Sequence, residues 1–283
     1  MAKGRLFVVA TPIGNLSDIS ERAKETLANV SRIAAEDTRH SRKLLSALGI
    51  QLPLVSLHDH NERSFSAKLV NALLAGEDLA LISDAGTPMI SDPGYHLVRA
   101  AQEAQIQVIP IPGPSALITA LSVAGLSANR FYFYGFLPDK KAQRQTHLSS
   151  LKNIQDTLVF YESGVRIQGC LKDIADCLGG DREAAIGREL TKIHETVERS
   201  TVQQLLHRVE EGEVSKRGEF VLMVAGVSDE ARVSESEELV LTMLKELIDQ
   251  LPLGQCAAIV SRVSGFPRKQ VYALGLQLKE NDN

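Results

Sequence analysis

The sequence predicts an α/β protein of two domains followed by a small helical extension. Its first part alternates short apolar runs, typical of strands, with amphipathic segments, typical of helices, and this alternation indicates a mainly parallel sheet. After about residue 120 the strand-like runs lie closer together, as expected of an α+β domain with a mixed or antiparallel sheet. At 283 residues the chain also exceeds the usual size of a single domain.

Composition narrows the possible classes of protein. A hydrophobic fraction of 44% with 23% charged residues is that of an ordinary globular protein, and no run approaches the roughly 18 to 20 apolar residues of a membrane span. The apolar start is interrupted by Pro12 and Gly14, too early for a signal peptide. Cys170, Cys177 and Cys256 form neither a CxxC pair nor an even disulfide set, which favours a reducing cytoplasm. Because the net charge is -4, any contact with RNA must be local.

The predicted strands of the first part end in polar segments. The apolar runs are RLFVVATP, RIAAEDT, LVSLHDH, DLALISDAG and IQVIPIPG. Between the first two, apolar residues recur at helical spacing from Asp18 to Val30, and Asp18 with Glu21 resembles a capping box. Ligands of open α/β sheets bind at the carboxyl ends of the strands. In this chain those ends carry ATPIGN, AEDTRH and SDAGTP.

The second part has five further strand-like runs and then a helical tail. The runs are FYFYGF, DTLVFYES, EAAIGREL, ETVERST and GEFVLMVAG, with helical segments near 165–178 and 201–211. The polar, acidic stretch 227–238 is interpreted as a linker. Beyond it, three helical patterns have the layout of a helix-turn-helix, although a three-helix cap without a binding role fits the periodicity equally well.

The segment SDAGTPMISDPG follows an apolar strand and has two parts. No P-loop motif occurs, and no GxGxxG follows the first strand, so nucleotide sites of those kinds are disfavoured. Gly86 would let backbone groups approach a ligand, and Asp84 could accept hydrogen bonds from ribose hydroxyls or an ammonium group, although a tight structural turn is equally consistent. Ser91 or Asp92 is predicted to cap a helix, with Pro93 in its first turn.

Histidines and carboxylates form two further polar segments. His58 and His60 share a face if they lie on a strand, and with Glu62 they could bind a metal. No second ligand cluster supports a metal, so a pocket lining or a substrate contact is favoured. In AEDTRH, Asp37 and Arg39 could form an ion pair that caps the next helix, or they could contact substrate.

In RELTK, Arg188 and Glu189 could be a structural pair, or they could face the first domain across a cleft, where small-molecule sites are common.

Nine segments in order through the chain resemble a known family: TPIGNLSDIS, AEDTRHSRKLL, LHDHNE, SDAGTPMISDPGYHLV, PGPSA, GFLP, YES, RELTK and GEFVLMV. They closely resemble the small-subunit ribosomal RNA 2'-O-methyltransferases of the tetrapyrrole methylase superfamily, bacterial enzymes that methylate a cytidine ribose in the decoding centre. The resemblance covers roughly residues 5–228, and the tail is similar to the helix-turn-helix extension of the same subfamily.

The resemblance implies a two-domain tetrapyrrole methylase-like fold. Its parts are an N-terminal α/β domain over 1–118, a second α+β domain over 119–228 and a helix-turn-helix-like extension over 234–283. It also implies S-adenosyl-L-methionine as cofactor, 16S rRNA within the small ribosomal subunit as partner, and a homodimer. The residues themselves predict a cytoplasmic location and neither a metal nor a membrane.

The resemblance further implies which residues meet the cofactor. The superfamily's GGDPxxI loop corresponds to AGTPMI here, with Thr87 where an Asp usually stands, so the adjacent Asp84 is expected to take over that role. The implied cofactor-binding residues are Pro12, Asp84, Ala85, Gly86, Thr87, Ile90, Ser115, Ala116, Leu117, Tyr161, Glu162, Arg188, Glu189, Glu219 and Phe220. TPIGN replaces the superfamily's GxGPG, and this places Asn15 at the rim, where it would contact substrate.

The expected reaction is in-line displacement of an activated sulfonium methyl by a ribose 2'-oxygen, which needs alignment and removal of a proton. Polar residues are concentrated at the strand ends, and Asp37, His60 and Glu62 are therefore the candidates for the base that removes this proton. Phosphates would be held by the basic residues Arg39, His40, Arg262, Arg268 and Lys269, the last three placed near the start of the final helix.

Two rival functions stay open at this point. One is a superfamily methyltransferase that acts on a tetrapyrrole or a protein histidine, and the other is a non-catalytic ribosome assembly factor.

Overall fold

Five parallel strands form the first sheet, as the sequence predicts. The computed structural model describes residues 2–58 and 60–281. The strands are β1 (Arg5–Val9), β2 (Arg32–Ala35), β3 (Leu54–Ser56), β4 (Leu79–Ile82) and β5 (Gln107–Ile111). They lie in the order β3-β2-β4-β1-β5, and every neighbouring pair is parallel. The carboxyl ends of all five strands therefore share one edge.

Helices cover both faces of this sheet. They are α1 (Glu21–Asn29), α2 (Thr38–Ala47), α3 (Glu62–Leu74) and α4 (Tyr95–Glu103). Because side chains alternate along a strand, Ile33 packs in one core with Leu27 of α1, whereas its neighbour Ala34 packs in the other with Leu73 of α3. The predicted capping box of α1 is wrong: the Ser20 hydroxyl accepts the hydrogen bond of the helix N-terminus, and Asp18 ends a short 3-10 helix before it.

The second sheet is mixed. Its strands are β6 (Phe131–Phe136), β7 (Thr157–Ser163), β8 (Glu183–Arg188), β9 (Thr196–Thr201) and β10 (Glu219–Val224). They lie in the order β6-β7-β10-β8-β9, where β6 and β7 are parallel and the other pairs are antiparallel. The accompanying helices are α5 (Ala116–Val123), α6 (Lys141–Ser150), α7 (Ile167–Leu178) and α8 (Val202–Glu211).

Helix α5 packs on the second sheet although it follows the last strand of the first. Its Leu117 and Ala120 share a core with Val159, Ala185 and Val221. The expected boundary between 118 and 119 falls inside this helix, and the domain boundaries stay a prediction. Both sheets belong to one compact unit, which extends to Leu151 and resumes over Asp156–Ala225.

The second compact unit comprises Lys152–Gln155 and the tail from Gly226. The tail forms α9 (Asp229–Ile248), α10 (Leu253–Ser264) and α11 (Arg268–Asn281). Val240, Leu244, Cys256, Val260 and Val271 form its buried core. The interpretation of 227–238 as a linker is wrong, because α9 already begins at Asp229. In the part of the chain that the structure describes, no helix has both the length and the hydropathy needed to cross a membrane.

Candidate active site

The carboxyl edge of the first sheet and the facing part of the second sheet enclose a cavity of about 430 Å³. Most of the residues that the resemblance assigns to the cofactor line it: Asp84, Ala85, Gly86, Thr87, Ile90, Ser115, Ala116, Tyr161, Glu162, Glu189, Glu219 and Phe220. Pro12, Leu117 and Arg188 do not. The cavity is in the size range of small-molecule sites and therefore defines the candidate active site.

Gly86 shapes the loop that follows β4. Its N–H donates to the Thr11 carbonyl at 3.1 Å, and its own carbonyl accepts from the Thr11 N–H at 2.9 Å. The φ of Gly86 is +82°, and a Cβ added there would lie 3.3 Å from Cγ2 of Ile13. Only glycine adopts this conformation without strain, so this residue type is what lets the loop lie close to the segment after β1.

Thr87 joins two loops of the cavity wall. Its Oγ1 donates a hydrogen bond to the Pro114 carbonyl oxygen at 3.0 Å. An ionised carboxylate has no proton to donate. The threonine that departs from the superfamily pattern therefore makes a bond that an aspartate at this position could not make.

Asp84 ties together the ends of two adjacent strands. Its Oδ1 accepts from the Asp37 N–H at 3.0 Å, and the paired residues Ala35 and Ile82 lie immediately before this contact. Asp84 is held in the cavity wall by this bond, while its carboxylate retains further capacity to accept hydrogen bonds.

The N-terminus of α4 is capped from a distant part of the chain. The Glu62 carboxylate accepts from the Gly94 N–H at 3.0 Å and from the His96 N–H at 2.6 Å, and only 4% of Glu62 is exposed. The predicted cap by Ser91 or Asp92 is therefore wrong, since Gly94 holds the cap position with a φ of +135°. The Glu62 carboxylate therefore stabilises this helix and does not line the cavity, and its role as a proton acceptor stays a prediction.

Tyr161 connects the second sheet to α5. Its hydroxyl oxygen accepts from the Leu117 N–H at 3.1 Å, so Leu117 lies behind the wall rather than in it. Burial raises the pKa of Tyr161, which keeps the phenol neutral. Burial likewise raises the pKa of the adjacent Glu162, whose Oε1 accepts from the Ser163 N–H at 2.8 Å.

Lys192 joins two carboxylates of the cavity. Its Nζ lies 2.8 Å from Glu189 Oε1 and 2.9 Å from Glu219 Oε2. The Glu219 N–H also donates to Glu189 Oε1 at 2.9 Å. Burial opposes ionisation of Glu189, but these hydrogen bonds outweigh it and hold the pKa of Glu189 below its usual value. Glu189 has a φ of +48°, a conformation that is uncommon outside glycine and concentrates at functional sites.

Arg188 supports the loops beside the cavity. Its Nε donates to the Arg217 carbonyl at 2.8 Å, and its Nη1 donates to the His194 carbonyl at 3.0 Å. The Arg188 guanidinium thus binds backbone carbonyls and does not line the cavity, whereas Glu189 lines it together with residues at the carboxyl edge of the first sheet.

The segment TPIGN meets RELTK across the cleft. The Asn15 N–H donates to Thr191 Oγ1 at 3.1 Å, and a Cβ on Gly14 would lie only 2.4 Å from Cγ of Lys192. The Asn15 side chain accepts from the Ser17 N–H at 3.0 Å and caps the 3-10 helix. It is exposed, and its contact with substrate stays a prediction.

Asp37 caps α2 and forms the ion pair that the sequence suggested. Its carboxylate accepts from the Arg39 N–H at 2.8 Å and lies 2.8 Å from Arg39 Nη2. These bonds hold the pKa of Asp37 well below its usual range, so Asp37 is a weak base. Neither Asp37 nor His60 lines the cavity. The catalytic role of the exposed His60 stays a prediction.

The His58 and His60 rings lie 6.0 Å apart between centroids. Within the described residues, no group of three or more histidine, cysteine, aspartate or glutamate side chains is arranged to hold a metal.

The proposed RNA contacts lie on exposed surfaces. Arg39 and His40 lie in the first turn of α2, and Arg39 borders a shallow depression with Arg42 and Lys43 of the same helix.

In the tail, Arg268 and Lys269 begin α11, and Arg268 Nη2 donates to the Gly254 carbonyl at 3.0 Å. Arg262 lies in the last turn of α10, six positions before α11 begins.

Several cavity residues were missed from the sequence: Ile13, Glu36, Ser91, Asp92, Phe136, Ser163, Gly187, Leu190, Lys192 and Val221. Glu36 and Lys192 lie inside the motifs AEDTRH and RELTK, so motif membership could have identified them. The same holds for the others apart from Gly187, since Ile13 lies inside TPIGN and Leu190 inside RELTK, for example. Gly187 lies on β8, one residue before RELTK.

The fold and the cavity define a methylase. Residues 5–206 match the family described as Tetrapyrrole (Corrin/Porphyrin) Methylases, and the chain belongs to this family. Residues 234–279 match the family described as RsmI C-terminal HTH domain.

More specifically, the chain is similar to proteins named "Ribosomal RNA small subunit methyltransferase I". The protein of Xylella fastidiosa (strain Temecula1) is 49% identical over 95% of this chain and 98% of its own length. That of Pseudomonas aeruginosa is 46% identical over 98% of both chains, and that of Escherichia coli O157:H7 is 45% identical over 98% of this chain and 96% of its own.

Solved structures confirm the fold. Uroporphyrin-III-C-methyltransferase from Thermus thermophilus has a TM-score of 0.56 at 19% identity, covering 79% of this chain and 94% of its own. Diphthine synthase has a TM-score of 0.60 at 14% identity, covering 79% and 90%. A further structure of the Thermus enzyme, with a TM-score of 0.55 at 18% identity and coverage of 78% and 97%, is complexed with S-adenyl homocysteine.

Proposed function

We propose that this protein transfers a methyl group from S-adenosyl-L-methionine to the 2'-oxygen of a cytidine ribose in the decoding centre of 16S rRNA. The observation that carries the proposal is the similarity, at 45–49% identity over nearly the whole chain, to proteins named for methylation of small-subunit ribosomal RNA. The cavity in the methylase fold supports it.

The donor and acceptor set of the cavity fits S-adenosyl-L-methionine. The loop from Asp84 to Thr87, with Ile90, supplies a carboxylate, close backbone groups and an apolar contact. Glu189 and Glu219 supply carboxylates, which accept hydrogen bonds from ribose hydroxyls and ammonium groups. Leu117 and Arg188 act behind this wall, through the bonds to the Tyr161 hydroxyl and to the Arg217 and His194 carbonyls. Pro12 does not line the cavity, and its contact with the cofactor stays part of the proposal.

The bound cofactor supplies a methyl group already activated on a sulfonium. The protein contributes alignment of the ribose hydroxyl and removal of its proton, and a positioned side chain accelerates such a proton transfer by roughly 10²- to 10⁴-fold. Asn15 at the rim, together with Arg39 and His40 on α2, holds the RNA strand near the mouth.

The tail provides a second contact with RNA in this proposal. Arg262, Arg268 and Lys269 are exposed on α10 and α11, and cations of this kind bind phosphates without reading sequence. The domains extend over 1–118, 119–228 and 234–283. The protein works as a cytoplasmic homodimer on the small ribosomal subunit.

Purified protein, small ribosomal subunits and methyl-labelled S-adenosyl-L-methionine test the proposal. We expect label in 16S rRNA, released on nuclease digestion as 2'-O-methylcytidine. Protein that binds the cofactor in calorimetry but labels a tetrapyrrole or a protein instead would support the first rival function. Protein that binds subunits without binding the cofactor would support the assembly factor.

A further inference from the structure

We propose that Glu36 is the group that accepts the proton of the ribose hydroxyl, an inference that rests on the proposed function. Glu36 immediately follows β2 and precedes α2, and it lines the cavity together with Asp84. The three sequence-based candidates do not line the cavity. Glu36 therefore provides a carboxyl group in the wall of the cavity.

The backbone on both sides of Glu36 is fixed. Its own carbonyl oxygen accepts from the Ser56 hydroxyl at 3.4 Å, and the next residue, Asp37, donates its N–H to Asp84 at 3.0 Å. These contacts join the ends of three neighbouring strands of the parallel sheet. A side chain on such a rigid base can hold a productive geometry.

Glu36 also lies close to basic residues of α2 that would bind the RNA backbone. Arg39, Arg42 and Lys43 border one depression on α2, and three cations on one helix face attract the phosphates of a nucleic acid backbone. Three residues of chain span at most about 11 Å, so Glu36 lies within that distance of Arg39. A phosphate held at Arg39 would bring an adjoining ribose towards Glu36 and the cavity.

Six carboxylates of the described residues line the cavity, and Glu36 is the one that lies two residues before α2 with its three cations. In the proposed step the ribose oxygen forms a bond to the methyl carbon, the carbon–sulfur bond breaks, and its electron pair stays on sulfur. The hydroxyl proton passes to the Glu36 carboxylate, so a sulfonium, an alcohol and a carboxylate become a thioether, a methyl ether and a carboxylic acid.

Single-turnover methylation of small subunits tests this role with Glu36→Gln and Glu36→Asp variants. We expect Glu36→Gln to lower the rate about 10²-fold or more, and the shorter carboxylate of Glu36→Asp to restore part of it. The wild-type rate should fall as the pH drops and the carboxylate becomes protonated, whereas the Glu36→Gln rate should be flat over that range. The matched control is Glu25→Gln, which removes an exposed carboxylate from α1 and should leave the rate unchanged.

Calorimetry with S-adenosyl-L-methionine and subunit binding must accompany these rates. If the Glu36→Gln variant binds the cofactor and the subunits within about twofold of wild type, Glu36 acts in the reaction itself. A Glu36→Gln rate within threefold of wild type, or a rate loss explained wholly by weaker binding of either ligand, would overturn the inference. If wild-type protein binds the cofactor but methylates no RNA, the proposed function fails, and Glu36 then has no hydroxyl to deprotonate.

Discussion

The substitution Gly86→Ala tests whether the loop after β4 holds the cofactor. Gly86 has a φ of +82°, and an added Cβ would lie 3.3 Å from Ile13 Cγ2 and 3.7 Å from the Pro114 carbonyl oxygen. Left-handed backbone costs an L-residue about 1–2 kcal/mol. If the loop relaxes by leaving this conformation, cofactor binding must restore it, so the affinity should fall by up to about 5- to 30-fold.

Gly212→Ala provides the matched control. Gly212 also has a φ of +82°, but it follows α8, lies outside the cavity lining, and has no heavy atom within 4 Å of an added Cβ. Both variants should lower the melting temperature, by about 2–8 °C at 1–2 kcal/mol. Only Gly86→Ala should weaken binding of S-adenosyl-L-methionine in calorimetry. If Gly86→Ala binds the cofactor as tightly as wild type does while losing as much stability as Gly212→Ala, the loop does not hold the cofactor.

Three further predictions concern the loop, the tail and α2. Replacing Thr87 by Val removes the hydrogen bond to the Pro114 carbonyl and should lower the free energy of unfolding in urea by about 1 kcal/mol; an unchanged value would mean that the bond contributes nothing. Removing 229–283 should weaken binding to 16S rRNA in a filter assay and keep cofactor affinity within about twofold; loss of cofactor binding would make the tail a structural cap. Hydrogen bonds from Arg39 lower the pKa of Asp37, so their stabilisation is present above about pH 4 and is lost as the pH falls through the lowered pKa. Urea unfolding of wild type and Asp37→Asn should therefore show a gap at pH 7 that shrinks at pH 3, and a gap that widens on acidification would contradict this sign.

The sheets could be predicted because local patterns determine them. Leu79–Ile82 is fully buried, and an uninterrupted apolar run is what a strand covered on both faces requires. The first part of α9, over 229–238, was predicted wrongly because its polarity resembles that of a linker. Glutamate, alanine and arginine are also good helix formers, and the helix they begin continues to Val240 and Leu244, which pack in the core of the tail.

Part of the site could not be predicted because it is built by contacts between residues that are far apart in the sequence. Glu62 caps a helix that begins 33 positions later, and no local motif announces such a bond. Strand register brings Phe220 of β10 level with Glu162 on one side and Arg188 on the other. The resemblance placed all three at the cofactor, but it could not show that the Arg188 guanidinium instead binds neighbouring carbonyls.

Mass spectrometry of 16S rRNA tests most directly our proposal that this methylase acts on a ribose of that RNA. Small-subunit RNA is digested from cells with the gene, from cells without it, and from cells complemented with a plasmid copy. We predict that deletion removes one 2'-O-methylcytidine of the decoding centre and that complementation restores it. An unchanged set of methylated nucleotides, or the loss of a methyl group from a base instead of a ribose, would contradict the claim.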